Sequence, residues 1–470
     1  MKHSTLSLAV ALGLAFPAVA DQSKDIEELK QQVRELQINT AGHNLKFGVD
    51  YRVTHDSIEY KRADDSTNKN SSLLANRLLL NMGYQYNEKL VFRGQLSYNK
   101  AYGEVVVPDQ MGFSGFDWIV NENLTDNTVK VKQAYFLYLG DAFFGNEDIG
   151  WTFSLGRRPS TNGFLGNNRE GFEEAQSPLA HSINVEFDGL SVNTRWENIT
   201  GLPGSAIKLC AGRGLSNARS RFDMMNADYA EDENFTDDID MVGFIITPYN
   251  NGQYNLQAQI YTADNMLGMS MMDVMGGNMM LKDYGALSNM TVSLEVNGIG
   301  EFINDFLDET RVFASYSVSK TDPKDGVMNM MGQTEYMLGS ADKETGKSYW
   351  VGINFPGFMD GDSFGLEYNH GDKYWRSFTY GEDTMIGSKL AARGDAFEAY
   401  YNLPIIDNAL TFQLRYTKID YDYTGSNGFF GTATGAPMTI EEAYGMSQMF
   451  GMPAPVESAE DIRATFRYQF

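Results

Sequence analysis

Seven arginines are the residues whose type and spacing could most clearly do chemistry. Each lies in a segment where apolar and polar residues alternate, and each falls on the polar parity. In a strand that parity forms one face, so these guanidinium groups would share the polar face of a sheet. They are Arg52, Arg77, Arg93, Arg158, Arg415, Arg463 and Arg467. A guanidinium binds oxyanions through a rigid fork of donors, so such a face could orient and select polar solutes.

Carboxylates form the second half of this candidate site. They are Glu295, Glu367 and Glu398 on the same parity of other segments, and Glu170, Glu173 and Glu174 in a predicted loop at 159–180. If this loop folds inwards, its acids face the arginines and create a transverse field across a narrow passage. The alternative is that a wet interior only requires polar residues and that these ions pair with one another. Asp50 and Glu197 lie among the basic positions, which favours that alternative.

Two other groups of residues suggest metal binding. Residues 266–280 hold seven methionines, and thioethers are soft ligands for Cu(I), but adaptable packing is the favoured interpretation. Residues 223–240 hold eight acids without the spacing of a calcium-binding loop, so a solvated acidic loop is favoured. We therefore predict no metal site and no cofactor.

Catalysis has little support in the sequence. His55, Asp56 and Ser57 are contiguous, but neighbouring residues of a strand point to opposite faces and do not form a triad. No nucleotide-binding or zinc-site spacing is found. We therefore predict that the protein is not an enzyme.

The elements that would position the arginines are strands of one kind, and the last twelve residues illustrate it. From Ile462 to Phe470 every second residue is apolar, and the residues between them are polar. A strand with one lipid face and one wet face has this pattern, and it is typical of a transmembrane β-barrel. An aromatic residue at the very end also resembles the C-terminal strand of bacterial outer-membrane proteins.

The period-two pattern recurs along the chain and predicts an all-β fold, a transmembrane antiparallel up-and-down barrel of sixteen strands. The strands are expected near 45–53, 77–86, 90–98, 129–140, 149–158, 181–187, 189–199, 239–248, 253–263, 287–297, 309–320, 347–356, 362–371, 393–403, 408–419 and 459–470. A change of parity within 129–140 predicts a bulge. Residues 205–213 are a further candidate, and with a partner near 163–176 they would give eighteen strands.

Short turns and long loops should alternate along such a barrel. Short turns are expected at 87–88, 188–189, 250–252, 356–362 and 404–408. Long polar loops are expected at 56–72, 99–127, 159–180, 214–238, 264–286, 321–346, 372–392 and 420–458. The barrel would occupy residues 44–470.

The N-terminal residues predict export and a short helix. Residues 1–20 have the charged start, the apolar run and the small-residue cleavage pattern of a secretory signal peptide. Within 21–40, Ile26, Leu29, Val33 and Leu36 form an apolar seam two heptads long. This periplasmic helix is either a stalk that assembles a homotrimer or a short amphipathic lead, and the residues leave both open.

Composition limits the partners and the location. The formal charge of −25 argues against nucleic acid, and it fits an acidic surface that meets divalent cations and lipopolysaccharide. The single cysteine, Cys210, excludes an intrachain disulfide framework. We expect the protein in the bacterial outer membrane, in contact with lipid and lipopolysaccharide.

Several segments resemble a known family. They are the apolar seam of the N-terminal helix, LKFGVDYRV, SLLANRLLLNMGYQY, GRRPSTNG and GLPGSAIKLCAGRG. Together they resemble an uncharacterised porin-like outer-membrane β-barrel family of proteobacteria, known only as a domain of unknown function. The chain is more distantly similar to phosphate-selective and general porins. The resemblance implies fold and location but no substrate.

The predicted function is a porin-like channel for the passive diffusion of small polar solutes. The alternative is a barrel scaffold or surface-binding protein with a blocked pore, for example a sheath for a secretion or electron-transfer partner.

Overall fold

The computed structural model describes residues 45–102, 129–171, 175–216, 237–268, 270, 272–273, 276–277, 281–300, 303–379, 385–426 and 435–470. The expected signal peptide, the expected helix within 21–40 with its seam, and the predicted site residues Glu173 and Glu174 lie outside these residues.

Sixteen strands of the described chain form one closed antiparallel barrel, which confirms the predicted fold. The strands are β1 (Leu45–Arg62), β2 (Thr67–Gln85), β3 (Leu90–Ala101), β4 (Lys130–Gly140), β5 (Trp151–Arg158), β6 (Phe187–Arg195), β7 (Ala206–Leu215), β8 (Ile239–Asn250), β9 (Tyr254–Ala263), β10 (Gly285–Asn297), β11 (Arg311–Pro323), β12 (Thr345–Pro356), β13 (Ser363–Gly371), β14 (Gly394–Ile406), β15 (Leu410–Tyr421) and β16 (Val456–Gln469).

The two ends of the sheet close on each other. β1 pairs with β16 from Asp50 opposite Gln469 to Arg62 opposite Val456. Phe470 extends this pairing, because its backbone N–H donates to the Val49 carbonyl at 3.0 Å and its carbonyl accepts from the Val49 N–H at 3.1 Å. Closure removes the unpaired edges that an open sheet would expose.

Burial along the strands is the reverse of that in a soluble sheet. In β10, Met290, Val292 and Leu294 are exposed on the outer face, whereas Thr291 and Ser293 are buried inside. β11 repeats this order, with exposed Tyr316 between buried serines. The barrel therefore turns outwards the apolar face that a soluble protein would bury.

Connections at the two ends of the barrel differ in length. At the end of the barrel where β1 begins and β16 finishes, the connections have three to thirteen residues. They are 86–89, 141–150, 196–205, 251–253, 298–310, 357–362 and 407–409. The other end has connections at 63–66, 102–129, 159–186, 216–238, 264–284, 324–344, 372–393 and 422–455.

Short elements decorate these connections. The helices are Gly166–Arg169, Glu197–Thr200, Asp305–Asp308 and Ile440–Phe450, with 3-10 turns at Met337–Gly339 and Lys389–Ala391. The loop strands pair as Gly163–Phe164 with Gln176–Leu179, Leu267–Gly268 with Lys282–Asp283, and Val327–Met328 with Thr334–Glu335. Among the described residues, no helix is both long enough and apolar enough to span a bilayer.

The predicted hairpin around residues 188–189 is wrong. Asp188 and Gly189 lie inside β6, where Gly189 is paired with Gly156 of β5 and Gly212 of β7. Residues 181–186 belong to a loop inside the barrel, and 205–213 is the true neighbouring strand, β7. The alternation at 181–187 is real, but its apolar side packs against Phe378 and other loop residues inside the barrel instead of facing outwards.

The long loop predicted at 56–72 is also wrong. β1 continues to Arg62, β2 starts at Thr67, and only 63–66 connect them. The outward parity of this upper part of β1 carries Ser57, Glu59 and Lys61, so the apolar–polar alternation stops before the strand does.

The bulge predicted within β4 is confirmed. Gln95 of β3 is opposite Gln133 and the next residue, Leu96, is opposite Val131, so Lys132 is the extra residue. Both Lys132 and Gln133 consequently line the same interior cavity.

Loops fill part of the barrel interior with apolar side chains. One cluster joins Ile183, Val185, Tyr261, Met337 and Phe378. A second surrounds Trp350 and includes residues of loop 159–186. A third cluster packs Ile386 and Ala392 of loop 372–393 against Ile58 of β1 and Ala459 of β16. The core of this protein is therefore a packing of loops against the inner wall.

The corrected position of Gly189 can be tested by adding one methyl group. A Cβ there would lie 2.1 Å from the carbonyl oxygen of Ala211, so Gly189→Ala should lower the free energy of unfolding by about 1–3 kcal/mol. Gly445→Ala is the control, because a Cβ in that helix meets nothing within 4 Å and should stabilise slightly. Urea unfolding in detergent micelles measures both, and a Gly189→Ala variant as stable as the wild type would contradict the observed register.

Candidate functional site

The connection between β5 and β6, residues 159–186, folds into the barrel and is named here the inner loop. His181 reaches the opposite wall, where Nδ1 lies 2.8 Å from Ser315 Oγ of β11 and Nε2 lies 2.9 Å from Ser348 Oγ of β12. The backbone N–H of Leu179 donates to Gln259 Oε1 of β9 at 3.1 Å. The described part of this loop therefore crosses the interior, as the inward fold considered from the sequence requires.

Closure of the barrel gathers five of the seven predicted arginines on adjacent strands. Arg52 of β1 is directly opposite Arg77 of β2 on one side and Arg467 of β16 on the other. Arg415 of β15 is directly opposite Arg463 of β16. These five residues are the arginine cluster. Like charges at opposed positions repel, so the cluster needs anions between its members.

Glu170, at the tip of the inner loop, supplies one of these anions. Its buried carboxylate accepts a hydrogen bond from Arg52 and lies 4.0 Å from Arg415 Nη1. Its backbone carbonyl accepts from Arg467 at 3.1 Å. Burial alone would raise the pKa of Glu170, but Arg52, Arg169 and Arg415 hold it well below the ordinary value. The carboxylate therefore stays charged and attaches the loop to the arginine cluster.

Aspartates of β1 pair with two further members of the cluster. Arg467 donates to both oxygens of Asp50, at 2.6 and 3.0 Å. Arg463 Nε donates to Asp56 Oδ1 at 2.5 Å. The bidentate pair of Arg467 with Asp50 is of the kind that gives a guanidinium its strongest ionic contacts.

The three strand acids predicted from the sequence form hydrogen bonds with loop side chains and do not face an open gap. Glu295 accepts from Asn168 Nδ2 of the inner loop at 2.8 Å. Glu367 and Glu398 both accept from Lys389 Nζ, at 2.7 and 2.5 Å. The structure therefore places these acids inside a buried ion network, and ion pairing describes the arrangement better than a free transverse field.

Two predicted arginines lie outside the cluster. Arg93 of β3 is exposed. Arg158, at the end of β5, lies over the Tyr135 ring at 5.7 Å from its centroid. Both are on the side of the barrel that carries β3 to β5, so strand parity was too weak a signal to group all seven.

Several members of the ion network were not singled out from the sequence. Asp56 and Asp461 are inward on β1 and β16, and strand parity could have found them. Arg169 and Lys389 come from loops, for which period-two reasoning gives no orientation. Lys389 is 2% exposed, and no sequence signal marks it as an interior residue.

A cavity of about 610 Å³ lies between the inner loop and the wall of β1 to β4 and β16. Side-chain amides dominate its polar lining. They are Asn81, Gln95, Gln133, Asn162, Gln176, Asn408 and Gln469. The charged residues along it are Asp50, Lys132 and Arg467. The cavity reaches the terminal strand at Phe470 and thus the end of the barrel with the shorter connections.

A second and much smaller cavity, of about 20 Å³, borders the arginine cluster. Arg52, Arg77, Arg415 and Arg463 line it, together with Met385 of loop 372–393. It lies on the same side of the barrel as the larger cavity and is named here the narrow part.

The other candidate groups found in the sequence have structural partners where the structure describes them. His55 is exposed while Asp56 is buried, so these neighbours are on opposite faces. In the methionine-rich segment, Met266 is buried and Asp273 accepts from Lys282 Nζ at 2.5 Å. Much of that segment lies outside the described residues. A separate group lies at the end of the barrel with the longer connections. It consists of His370, Asp395 and Asp422, whose possible ligand atoms are within 4.8 Å of one another.

Residues 67–470 match a family described as protein of unknown function (DUF3373). The chain belongs to this family. No curated protein matches the sequence.

The chain is similar to several solved structures. Salmonella typhi OmpF in complex with daunomycin shares 11% identity, covers 91% of this chain and 99% of its own, and gives a TM-score of 0.46. The high-pH structure of Pseudomonas putida OprB shares 14% identity, covers 93% and 97%, and gives 0.47. An anion-selective porin from Comamonas acidovorans shares 11% identity, covers 91% and 100%, and gives 0.48.

His181 should make the inner loop sensitive to acid. Burial lowers its pKa from 6.5 to about 3, so between these values the unfolded chain binds a proton that the folded protein does not. Stability should therefore fall as the pH drops from 6.5 towards 3, by about 1.4 kcal/mol per pH unit. Urea unfolding at several pH values measures this slope.

Replacing either of two histidines by a neutral glutamine shows which of them causes the pH dependence of stability. His181→Gln should flatten the slope between pH 6.5 and 4, and His55→Gln, at an exposed position, should leave it unchanged. An identical slope in the wild type and His181→Gln would show that His181 is not held neutral by its site.

Proposed function

We propose that the protein is an outer-membrane channel through which small polar solutes diffuse passively. The observation that carries the proposal is a closed sixteen-stranded barrel with an apolar exterior, a polar inner wall and a cavity of about 610 Å³ along β1 to β4. A barrel of this size encloses an aqueous lumen unless loops fill it. We propose no catalytic role for any residue.

The exterior supports a location in lipid. Phe244, Ile260, Val292, Leu414 and Phe466 are between 39% and 51% exposed on the outer face of their strands. Such a surface is costly in water, whereas a bilayer solvates it and requires all backbone groups to be paired, as they are in a closed barrel. The export signal, the periplasmic helix and a trimer through its seam belong to the proposal on sequence grounds alone. Contact with lipid and lipopolysaccharide follows from the same location.

The path that we propose runs through the amide-lined cavity and past the arginine cluster. The inner loop leaves a cavity on this side of the barrel. In this proposal its tip, where Glu170 is bound to Arg52, sets the width of the path. In this proposal the seven arginines and the named glutamates line the lumen or hold the loop that narrows it. The buried ion pairs of Arg52 with Glu170, Arg463 with Asp56 and Arg467 with Asp50 fix the shape of the path.

A blocked barrel is the second candidate, and one observation favours it. The interior opposite the cavity is packed with loop residues around Phe378 and Trp350. A barrel that serves as a scaffold or binds partners at its surface would need no continuous passage. Conductance separates this candidate from the channel.

Reconstitution of the purified full-length protein into a planar bilayer tests the proposed function. We expect stable open steps in KCl, because water and ions should cross the described cavity. The absence of steps, with the folded barrel verified by its heat-modifiable migration, would favour the blocked barrel.

A cysteine placed in the path locates it. In a Cys210→Ser background, Gln133→Cys should allow a bulky methanethiosulfonate reagent to reduce the step size, because Gln133 lines the cavity. Gln257→Cys is the matched control, an inward glutamine on β9 outside the cavity lining. Block at Gln257→Cys but not at Gln133→Cys would move the path elsewhere.

A further inference from the structure

We infer that the channel favours uncharged, polyhydroxylated solutes, such as polyols and monosaccharide-sized sugars, over ions of either sign. The inference rests on the proposed function and names the solute class of the same path. It follows from two features of the cavity: its charges are neutralised by one another, and its remaining polar surface is made of amides.

The charged groups of the cavity occur in pairs. Asp50 and Arg467 share a bidentate contact at 2.6 and 3.0 Å. Lys132 Nζ lies 3.3 Å from Glu186 Oε1, and these two side chains are 3% and 0% exposed. An ion in the cavity would therefore meet no unbalanced charge from these residues to replace its hydration.

Carboxylates lie against three of the four arginines that line the narrow part above the cavity. Arg52 is bound to Glu170, and Arg463 is bound to Asp56. Arg415 lies between the carboxylates of Glu170 and Glu398, at 4.0 and 3.9 Å. An anion would have to compete with these buried carboxylates for the same guanidinium groups, which weakens the attraction that the arginines would otherwise exert.

The amides provide what a sugar hydroxyl needs. Each carboxamide offers two donors and an acceptor, and a hydroxyl both donates and accepts. Gln95 Nε2 donates to Asn81 Oδ1 at 2.6 Å, and this contact orients both amides. Gln133 and Gln469 stand on the same wall and Asn162 and Gln176 on the inner loop facing it. A neutral solute can exchange its water hydrogen bonds for these with little net cost.

Swelling of proteoliposomes containing the full-length protein tests the inference. The probes are glucose, sodium gluconate and glucosamine hydrochloride at equal osmolarity, which have similar size and differ in charge. We expect glucose to enter fastest, and a reversal potential close to zero in a KCl gradient.

Other rates of solute entry would contradict either the solute class or the channel. Fastest entry of gluconate would mean that the arginine cluster acts as an unneutralised positive wall, and fastest entry of glucosamine would mean an acidic one. Conductance without swelling by any probe would reject the solute class and leave the channel standing. Absence of both would reject the channel itself.

Variants of one lining glutamine separate recognition from folding. Gln133→Leu should slow glucose entry about fivefold, the effect of one lost hydrogen bond, and should still conduct KCl. Gln257→Leu is the matched control and should change neither. Gln133→Glu adds a negative charge to the cavity and should shift the reversal potential towards cation preference.

Two results would contradict the role of the amides. One is glucose entry through Gln133→Leu at the wild-type rate, and the other is an unshifted reversal potential in Gln133→Glu.

Discussion

The contact between Glu170 and the arginine cluster is the interaction on which the interior depends. Barrel closure forces Arg77, Arg52 and Arg467 into directly opposed positions on three adjacent strands. Their repulsion must be offset from within, and the carboxylate at the tip of the inner loop does so together with Asp50. Removing one partner from a buried ion pair typically costs about 3–5 kcal/mol, so this contact holds the loop firmly.

The position of the loop then decides where the barrel is open. With its tip bound to the arginine cluster and His181 bound between β11 and β12, the inner loop spans the interior. Its apolar residues pack with loop 372–393 on one side, and the amide-lined cavity remains on the other. The same sequence segment therefore fills one part of the barrel and borders the cavity in another.

Much of the fold could be predicted because the strands follow a strict period of two. The alternation in β16 and β10 requires an apolar exterior and a polar interior. An even number of strands then allows the first and the last strand to pair antiparallel and close the sheet. The wrong strand and hairpin predictions arose where apolar and polar residues alternate in a segment that is not a barrel strand. Ile183, Val185 and Phe187 alternate with polar residues, yet they face a cluster of loops inside the barrel, and no local pattern distinguishes that environment from lipid.

The candidate site was predictable only in part, for the same reason. Strand parity placed Arg52, Arg415 and Arg467 on the inner wall, because a strand fixes the direction of each side chain. Partners such as Lys389 are carried by loops, whose side-chain directions depend on tertiary contacts. The sequence therefore indicated an arginine-rich wall without indicating which loop residues would pair with it.

Single-channel conductance of Glu170→Gln tests this account most directly, with Glu88→Gln at an exposed turn as the control. Loss of the carboxylate charge should release the tip of the inner loop from the arginine cluster and produce larger, noisier open steps, while the control behaves as the wild type. Steps of unchanged size and noise in Glu170→Gln would contradict the claim that this ionic contact sets the shape of the passage.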